Sequence, residues 1–423
     1  MRTFLALCIG YGFLASLPAE NTPPLLSPSL YIFGYYGTST ADDPKDFAPG
    51  GHDPSRKDAL VLQSAEPSIS LRWGEYVQGF VTGIAYTDSN DDLEWEWEEY
   101  FLKLTDLPGG LEFRGGLMLS RLGFYNATHL HSWMTVDAPL IQSLFFGEDG
   151  LALEGGDFSM YMDTEQVTVL TIGYGQRQAH DHNHGHGSEE DDHDHDHGDD
   201  HDHDDDHGHE SGDYNSYEEY RVQDDVITVG LRRDHVFNDF QILRGTLFGS
   251  MGDNELGESS WLGGAGLEYQ WRENGYEPGG QSVRWRTQVV RFDGGSVEYH
   301  DHEDDHGHDD DHEEDHADDH EDDHDDDHAE EGGGIVSTWG ITSEIEFQAH
   351  PRVHPFARFD YVGASEELDL PEWTRYTVGM TIPLTDTPHA FLRLQGNADE
   401  RGDESEQSVW AQLGLSWGGG EVR

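Results

Sequence analysis

Two tracts of this sequence combine histidine with aspartate and glutamate and contain no lysine or arginine. The first, AHDHNHGHGSEEDDHDHDHGDDHDHDDDHGHE at 179–210, holds eleven histidines and fourteen carboxylates. The second, HDHEDDHGHDDDHEEDHADDHEDDHDDDHAEE at 300–331, holds nine histidines and twenty carboxylates. Neutral imidazole is a good ligand for zinc, copper and nickel, whereas carboxylates alone favour magnesium, calcium and manganese. The mixture therefore indicates binding of divalent metal ions, with zinc as the first choice.

The spacing of these histidines predicts many weak sites rather than one defined site. From His308 to His328 a histidine falls every four residues, which would form one stripe on a helix. Repulsion between the carboxylates means that such a helix would need metal to form. A disordered, solvating charge run is the alternative interpretation, but hydration requires only Asp and Glu, and twenty of the 27 histidines lie in the tracts. The predicted ligands are His180, His182, His184, His186, His193, His195, His197, His201, His203, His207, His209, His300, His302, His306, His308, His312, His316, His320, His324 and His328.

The overall charge limits the kind of partner. The 423 residues carry a formal net charge of −64, to which the two tracts contribute 34 carboxylates. Nucleic acid is excluded as a partner because its phosphates would be repelled. Cations are favoured, and a lipopolysaccharide surface, which carries bridging divalent ions, is compatible with this charge.

The first residues predict export. MRTFLALCIGYGFLASLPAE has a charged Arg2, an apolar stretch over 4–17 and a small-residue cleavage site at Ala19, so 1–19 is interpreted as a Sec-type signal peptide. Cys8 is the only cysteine and lies in that apolar stretch. The mature chain is therefore expected to use neither disulfides nor thiolate metal sites.

The remainder, 20–423, alternates with a period of two and predicts an all-β chain. In VSTWGITSEIEFQA, for example, Trp339, Ile341 and Ile345 share one face, and Thr342 and Glu344 share the other. We identify sixteen candidate strands of about 10–15 residues, the length of a tilted membrane-spanning strand. They are expected to begin near residues 28, 58, 75, 92, 110, 151, 165, 222, 237, 258, 281, 335, 353, 371, 388 and 406.

The connections between these strands alternate in length. The even ones are short turns, whereas the odd ones include the long segments 38–57, 121–150, 178–221 and 294–334. Short turns on one side and long loops on the other are typical of a transmembrane antiparallel β-barrel with both chain ends in the periplasm. On this count both His/Asp-rich loops, 178–221 and 294–334, are extracellular. The alternative is a secreted sandwich or propeller with acidic loops, which would need neither an even strand count nor alternating connections.

The connection between the fifth and sixth strands resembles a segment of a known family. SRLGFYNATHLHSWMTVDAPLIQSLFFGEDGL, at 120–151, is similar to plug-less bacterial outer-membrane barrels labelled porin-like or zinc-regulated outer-membrane receptor-like. The matches include Asn126, His129, His131 and Asp137, then the run 145–151, and the turn DLPGG also matches. The resemblance covers about 90–155. The chain departs from the family at Ser120-Arg121, where Gly-Lys is usual, and at its end, WGGGEVR.

By strand count, 121–150 occupies the position of the loop that folds into the lumen of sixteen-stranded porins. It is therefore our candidate constriction loop. Carboxylates and imidazoles lining a constriction would attract cations and could hold one transiently. The alternative is that they hydrogen-bond to the wall and anchor the loop. The candidate lumen residues are Asn126, His129, His131, Asp137, Glu148 and Asp149.

These patterns favour an outer-membrane channel that concentrates divalent, zinc-like cations at its mouth and passes them. Only about eight residues separate the cleavage site from the first strand, which leaves no room for a plug and favours a passive channel. The alternative is a barrel that displays metal-sequestering or adhesive loops without transport. No nucleophile motif accompanies any histidine outside the tracts, so an enzyme is not expected. The expected partners are outer-membrane lipid, lipopolysaccharide and metal cations, and a homotrimer is compatible with such a barrel.

Overall fold

The computed structural model describes residues 25–88, 92–162, 166–178, 219–277, 279–296, 335–365, 367–368, 370–385 and 389–418. The signal peptide prediction and the twenty tract histidines lie outside the described residues. Among the described residues, no helix is long and apolar enough to span a membrane.

Sixteen strands dominate the described chain. They are β1 (Leu26–Ser39), β2 (Leu60–Trp73), β3 (Val77–Thr87), β4 (Leu93–Leu107), β5 (Leu111–Leu119), β6 (Ala152–Met162), β7 (Thr168–Arg177), β8 (Asp224–Asn238), β9 (Gln241–Asp253), β10 (Ser259–Arg272), β11 (Ser282–Ser296), β12 (Ile335–Gln348), β13 (His354–Val362), β14 (Trp373–Pro383), β15 (Ala390–Arg401) and β16 (Glu404–Gly418). Three short helical turns accompany them: Pro44–Phe47, Leu130–Ser132 and Gln142–Phe146.

The strands form one closed antiparallel barrel. Each strand pairs with the next along the chain, and β16 pairs with β1, with Ser29 opposite Gly418 at one end and Ser39 opposite Ser408 at the other. Closure leaves no strand edge without a partner, which is the condition that a lipid environment imposes on a sheet. The predicted fold class, including the number of strands, is confirmed. The largest difference in a strand start is at β9, expected near 237 and found at Gln241.

The two faces of the barrel differ in chemistry as the alternation predicted. On β12, Trp339, Ile345 and Phe347 are exposed on the outer surface, whereas Thr342 and Glu344 are buried on the inner side. Bulky aromatic side chains are also exposed near both ends of the barrel, as in the interfacial girdles of membrane barrels. At the end with short turns these include Trp73, Tyr76, Phe240 and Tyr276, and at the opposite end Trp95, Trp97, Trp261 and Trp339.

The strand ends that flank the long connections lie together at one end of the barrel. These are the ends next to 40–59, 120–151, 178–223 and 297–334, and the short turns 74–76, 108–110 and 239–240 lie at the other end. The first and last strands begin and end at the short-turn end. The chain therefore enters and leaves both His/Asp-rich segments at the end that carries the connection between β5 and β6, which is named the lumen loop (120–151) from here on.

Candidate functional site: the lumen loop and its anchors

The lumen loop is folded into the barrel, because strands far apart on the wall contact it at once. The Val136 backbone accepts a hydrogen bond from Gln63 Nε2 on β2 at 2.7 Å and donates one to Gln395 Oε1 on β15 at 2.7 Å. Further along, the Phe124 amide donates to Gln288 Oε1 on β11 at 2.7 Å. In a closed barrel these inward-facing side chains converge only inside the lumen.

Asn126 joins the two ends of the lumen loop. Its Nδ2 donates to the Ser120 carbonyl at 2.8 Å and to the Leu151 carbonyl at 3.2 Å, while its Oδ1 accepts from the Leu151 amide at 2.7 Å. The side chain is fully buried. An amide offers both a donor and an acceptor, so one residue satisfies backbone groups of opposite polarity. The structure gives Asn126 a role in shaping the loop.

The middle of the lumen loop is apolar and packs against the inner wall. Ile141, Phe145 and Phe146 are at most 1% exposed and belong to the main buried cluster. The Phe145 ring stacks at 6.2 Å from Phe292 on β11, and Phe146 lies 6.0 Å from Phe248 on β9. Hydrophobic burial on this scale fixes the loop within the barrel.

Asp137 is a lumen-loop carboxylate that accepts four side-chain hydrogen bonds. Its Oδ1 accepts from Arg358 at 3.0 Å and Gln395 at 2.7 Å, and its Oδ2 accepts from Arg375 at 3.1 Å and Asn397 at 2.8 Å. Burial alone would raise the pKa of Asp137, but the two guanidinium groups outweigh burial and lower it. Asp137 is therefore an ionised anchor to the β13–β15 wall, with no oxygen left free for a metal.

A second loop lies against this anchor. Asp53, in the 40–59 connection, accepts from the Ala138 amide at 2.7 Å and from the Gly50 amide at 3.0 Å. Burial and the neighbouring Asp137 charge raise the pKa of Asp53 to about 6, although Arg375 partly offsets them. The two loops thus form one packed unit inside the barrel mouth.

His129 lies between two carboxylates of β4. Its Nδ1 is 2.8 Å from Glu98 Oε1, and its Nε2 is 2.8 Å from Glu99 Oε2. Burial alone would lower the pKa of His129, but the two carboxylates raise it well above the usual range. Both ring nitrogens therefore donate, and neither offers a lone pair to a metal.

A β-bulge explains how two successive glutamates reach one side chain. Thr82 of β3 pairs with Glu99 and Gly83 pairs with Trp97, so Glu98 is the extra residue between them. In a regular strand Glu98 and Glu99 would point to opposite faces of the sheet. The bulge turns both carboxylates toward the lumen.

His131 anchors the loop to a different strand. Its Nδ1 lies 2.6 Å from Glu66 Oε2 on β2, and Ser64 Oγ donates to the other oxygen of that carboxylate at 2.9 Å. The His131 ring stacks on Tyr31 at 4.0 Å and 8° and lies 5.8 Å from the His129 ring. The two histidines therefore face an acidic wall made by Glu66, Glu98 and Glu99.

The six candidate lumen residues do not meet at one point. His129 and His131 lie together, whereas Asp137 contacts the arginines of the opposite wall. Asp149 lies beside His52, with Nε2 to Oδ1 at 3.2 Å, and Glu148 offers its backbone carbonyl to Gly51. The expectation of one lumen site formed by these residues gives way to separate sets of contacts.

The wall partners of these residues were not predicted from the sequence. Arg358 and Arg375 supply the charges around Asp137, while Glu98 and Glu99 supply those around His129. One local signal was available: WEWEEY alternates aromatic and acidic residues until Glu99 breaks the period, which is a mark of a bulge. No comparable signal pairs Asp137 with arginines more than 200 positions later.

Beyond the lumen loop, the inner wall at the short-turn end is lined by charge. Arg244 lies 2.8 Å from both Asp234 and Glu268, and Arg286 contacts Glu268 at 2.9 Å and Glu344 at 3.3 Å. The Arg244 side chain is 32% exposed although it faces inward. This part of the barrel therefore has a polar, solvent-accessible interior.

Solved structures of similar architecture include an outer-membrane channel and a porin. The chain is similar to the outer-membrane channel DcaP of Acinetobacter baumannii (8% identity, 93% of this chain and 96% of that one, TM-score 0.51). It is also similar to an anion-selective porin from Comamonas acidovorans (10%, 93% and 99%, 0.50) and to OmpT, an outer-membrane protein of Vibrio cholerae, in its trimer form (7%, 93% and 99%, 0.50). The fold is that of an outer-membrane porin. No protein-family model matches the sequence, and no curated protein matches it.

Proposed function

We propose that this protein is a porin-like outer-membrane channel whose His/Asp-rich loops concentrate divalent cations, zinc most of all, at the mouth. The observation that carries the proposal is the lumen loop held inside a sixteen-stranded barrel, with arginines in contact with it on one side and glutamates on the other. Arg358 and Arg375 hold it on one side, and Glu66, Glu98 and Glu99 hold it on the other. In this proposal the loop is the constriction that sets passage.

The metal preference rests on composition and charge. Imidazole and carboxylate together suit zinc and its neighbours, and the tracts hold twenty histidines among 34 carboxylates. Both tracts belong to connections at the lumen-loop end, so bound cations would be concentrated beside the entrance. In this proposal zinc is cargo collected at many weak sites, and no resident cofactor is required.

A second candidate is a barrel that sequesters metal or adheres through its loops without transport. The packing of the lumen loop favours it, because Ile141, Phe145 and Phe146 fill part of the lumen with a buried apolar cluster. A loop packed this closely would leave no aqueous path through the barrel.

Neither candidate assigns a reaction to the barrel. His129 contacts two carboxylates rather than a hydroxyl nucleophile, which is not the arrangement of a hydrolase. We further propose a homotrimer set in outer-membrane lipid and lipopolysaccharide. The trimer form of Vibrio cholerae OmpT is the precedent for this assembly in the same fold.

Conductance in a planar bilayer separates the two candidates. Purified protein should insert with discrete conductance steps, because the charged inner wall at the short-turn end is wetted. Cation selectivity should fall as salt screens the wall charges. A barrel that is folded by circular dichroism yet shows no conductance would support sequestration instead.

A further inference from the structure

Three segments bring metal-binding side chains together at the lumen-loop end of the barrel. His52 lies in the 40–59 connection, Glu96 on β4 and Asp149 at the end of the lumen loop. One ligand atom from each side chain lies within 4.8 Å of the other two. We propose that these three side chains form a defined site for one divalent cation of the zinc class, separate from the His/Asp-rich tracts.

The imidazole has the properties of a ligand. His52 is 8% exposed, and its Nδ1 has no hydrogen-bond partner. Its Nε2 lies 3.2 Å from Asp149 Oδ1. Packing rather than hydrogen bonding fixes the ring, because Tyr86 contacts it edge-on at 4.7 Å and 73°. His129 differs in this respect, since carboxylates hold both of its ring nitrogens.

The donor set matches the chemistry of zinc. One imidazole nitrogen and two carboxylate oxygens are three ligands, and water would complete a tetrahedral site. The two carboxylates also balance the charge of a divalent ion. Tyr86 donates its hydroxyl to Glu96 and so orients that carboxylate, as outer-shell groups commonly do at metal sites.

The shortest of the known spacings already matches that of a metal site. Ligand atoms around a tetrahedral zinc ion lie about 3.4 Å apart. The distance from His52 Nε2 to Asp149 Oδ1 is already 3.2 Å. Gly51 makes this approach possible, because a Cβ there would lie 2.7 Å from Asp149 Oδ1. The Gly51 amide also donates to the Glu148 carbonyl at 3.4 Å. The two loops thus meet through backbone and side chain at the same point.

A cation at this point would link the 40–59 connection, the wall and the lumen loop. This goes beyond collection of metal at the mouth, because a single buried ion would fix the position of the loop itself. The inference depends neither on conductance nor on the tracts.

The test uses the full-length chain with all twenty tract histidines replaced by asparagine, titrated with Zn²⁺ alone. Calorimetry and native mass spectrometry should show one tightly bound equivalent, and zinc should raise the unfolding temperature. In this background His52→Asn and Asp149→Asn should each abolish the equivalent and the thermal shift. His350→Asn, an exposed histidine at the short-turn end, is the matched control and should keep both.

Absence of the bound equivalent in the background chain, or its survival in both site variants, would overturn the proposal. If His52→Asn fails to fold, Glu96→Gln replaces it, and its Co²⁺ absorption spectrum is compared with that of the chain in which the site is intact. Tetrahedral Co²⁺ bands should appear with the site intact and vanish with Glu96→Gln. Failure of the proposed channel function would appear separately, as a lack of conductance with this site still occupied.

Discussion

At the scale of single residues, the surroundings of a histidine decide its chemistry more than its neighbours in sequence do. His129 and His131 occur as a His-x-His pair, a spacing that suggests metal binding, yet each contacts carboxylates through ring nitrogens. An imidazole held by two carboxylates is stabilised as a cation. His52 has no close histidine in sequence and keeps a ring nitrogen without a partner. The better candidate ligand is therefore the residue that sequence spacing did not select.

A pH measurement tests the charge on His129. Its raised pKa means that its contribution to stability is fully present below about 6.5, the usual pKa, and is lost as pH rises through the raised value. In the chain whose tract histidines are asparagine, NMR of labelled histidine should show the His129 ring still protonated above the usual histidine pKa of about 6.5. His129→Gln assigns the signal. A neutral His129 ring at pH 7 would contradict the assignment.

Asp137 should be the lumen-loop carboxylate that matters most for stability. Asp137→Ala leaves Arg358 and Arg375 without their shared partner, and breaking a buried ion pair costs about 3–5 kcal/mol. Urea unfolding in detergent should show the loss. Asp239→Asn, in the exposed turn after β8, should change the free energy of unfolding by less than about 0.5 kcal/mol. Equal effects of the two substitutions would show that Asp137 does not anchor the loop.

At the scale of elements, alternation predicted the strands but not the bulge at Glu98 that interrupts β4. The strand starts lie within a few residues of expectation because a lipid-facing strand must alternate, and alternation can be read locally. The bulge at Glu98 depends on pairing with β3, which no local window contains. The position of 121–150 inside the barrel followed from strand order, whereas its contacts depended on which distant strands close the barrel opposite it.

Deletion of Glu98 tests the bulge. Trp97 and Glu99 already pair with adjacent β3 residues, so the shortened strand should keep its register and the barrel should fold. His129 would lose one carboxylate, and its pKa should move toward the usual value. Glu98→Gln, which keeps the bulge but removes the charge, is the control and should shift that pKa in the same direction. A folded fraction far below that of the control, judged by heat-dependent gel migration, would mean that the extra residue is needed for the register.

At the scale of the whole molecule, the order of strands fixes which segments share an end. The 40–59 connection, the lumen loop and the strand ends that flank both His/Asp-rich segments lie opposite the end where β1 begins and β16 ends. A barrel of this type with both chain ends in the periplasm carries these loops on the cell surface. Protease added to intact cells should therefore cut within 180–210 and 300–331. Cleavage only after lysis would mean that the barrel is inserted in the opposite direction.

At this scale we also predict that zinc collection and ion passage depend on different parts of the chain. Replacing the twenty tract histidines with asparagine should remove most bound zinc. In the unaltered chain, zinc binding should decline as pH falls below about 6.5, because protons compete for imidazole. Conductance should survive, since exposed charges more than about 10 Å from the path are screened at 0.1 M salt. Replacing His129 and His131 with alanine should do the reverse. Bound zinc would largely persist, while Glu66, Glu98 and Glu99 lose their imidazole partners, including the cationic ring of His129, and should make the pore more cation-selective. If the tract substitution closes the pore, or the double substitution leaves selectivity unchanged, collection and passage are not divided between these parts of the molecule.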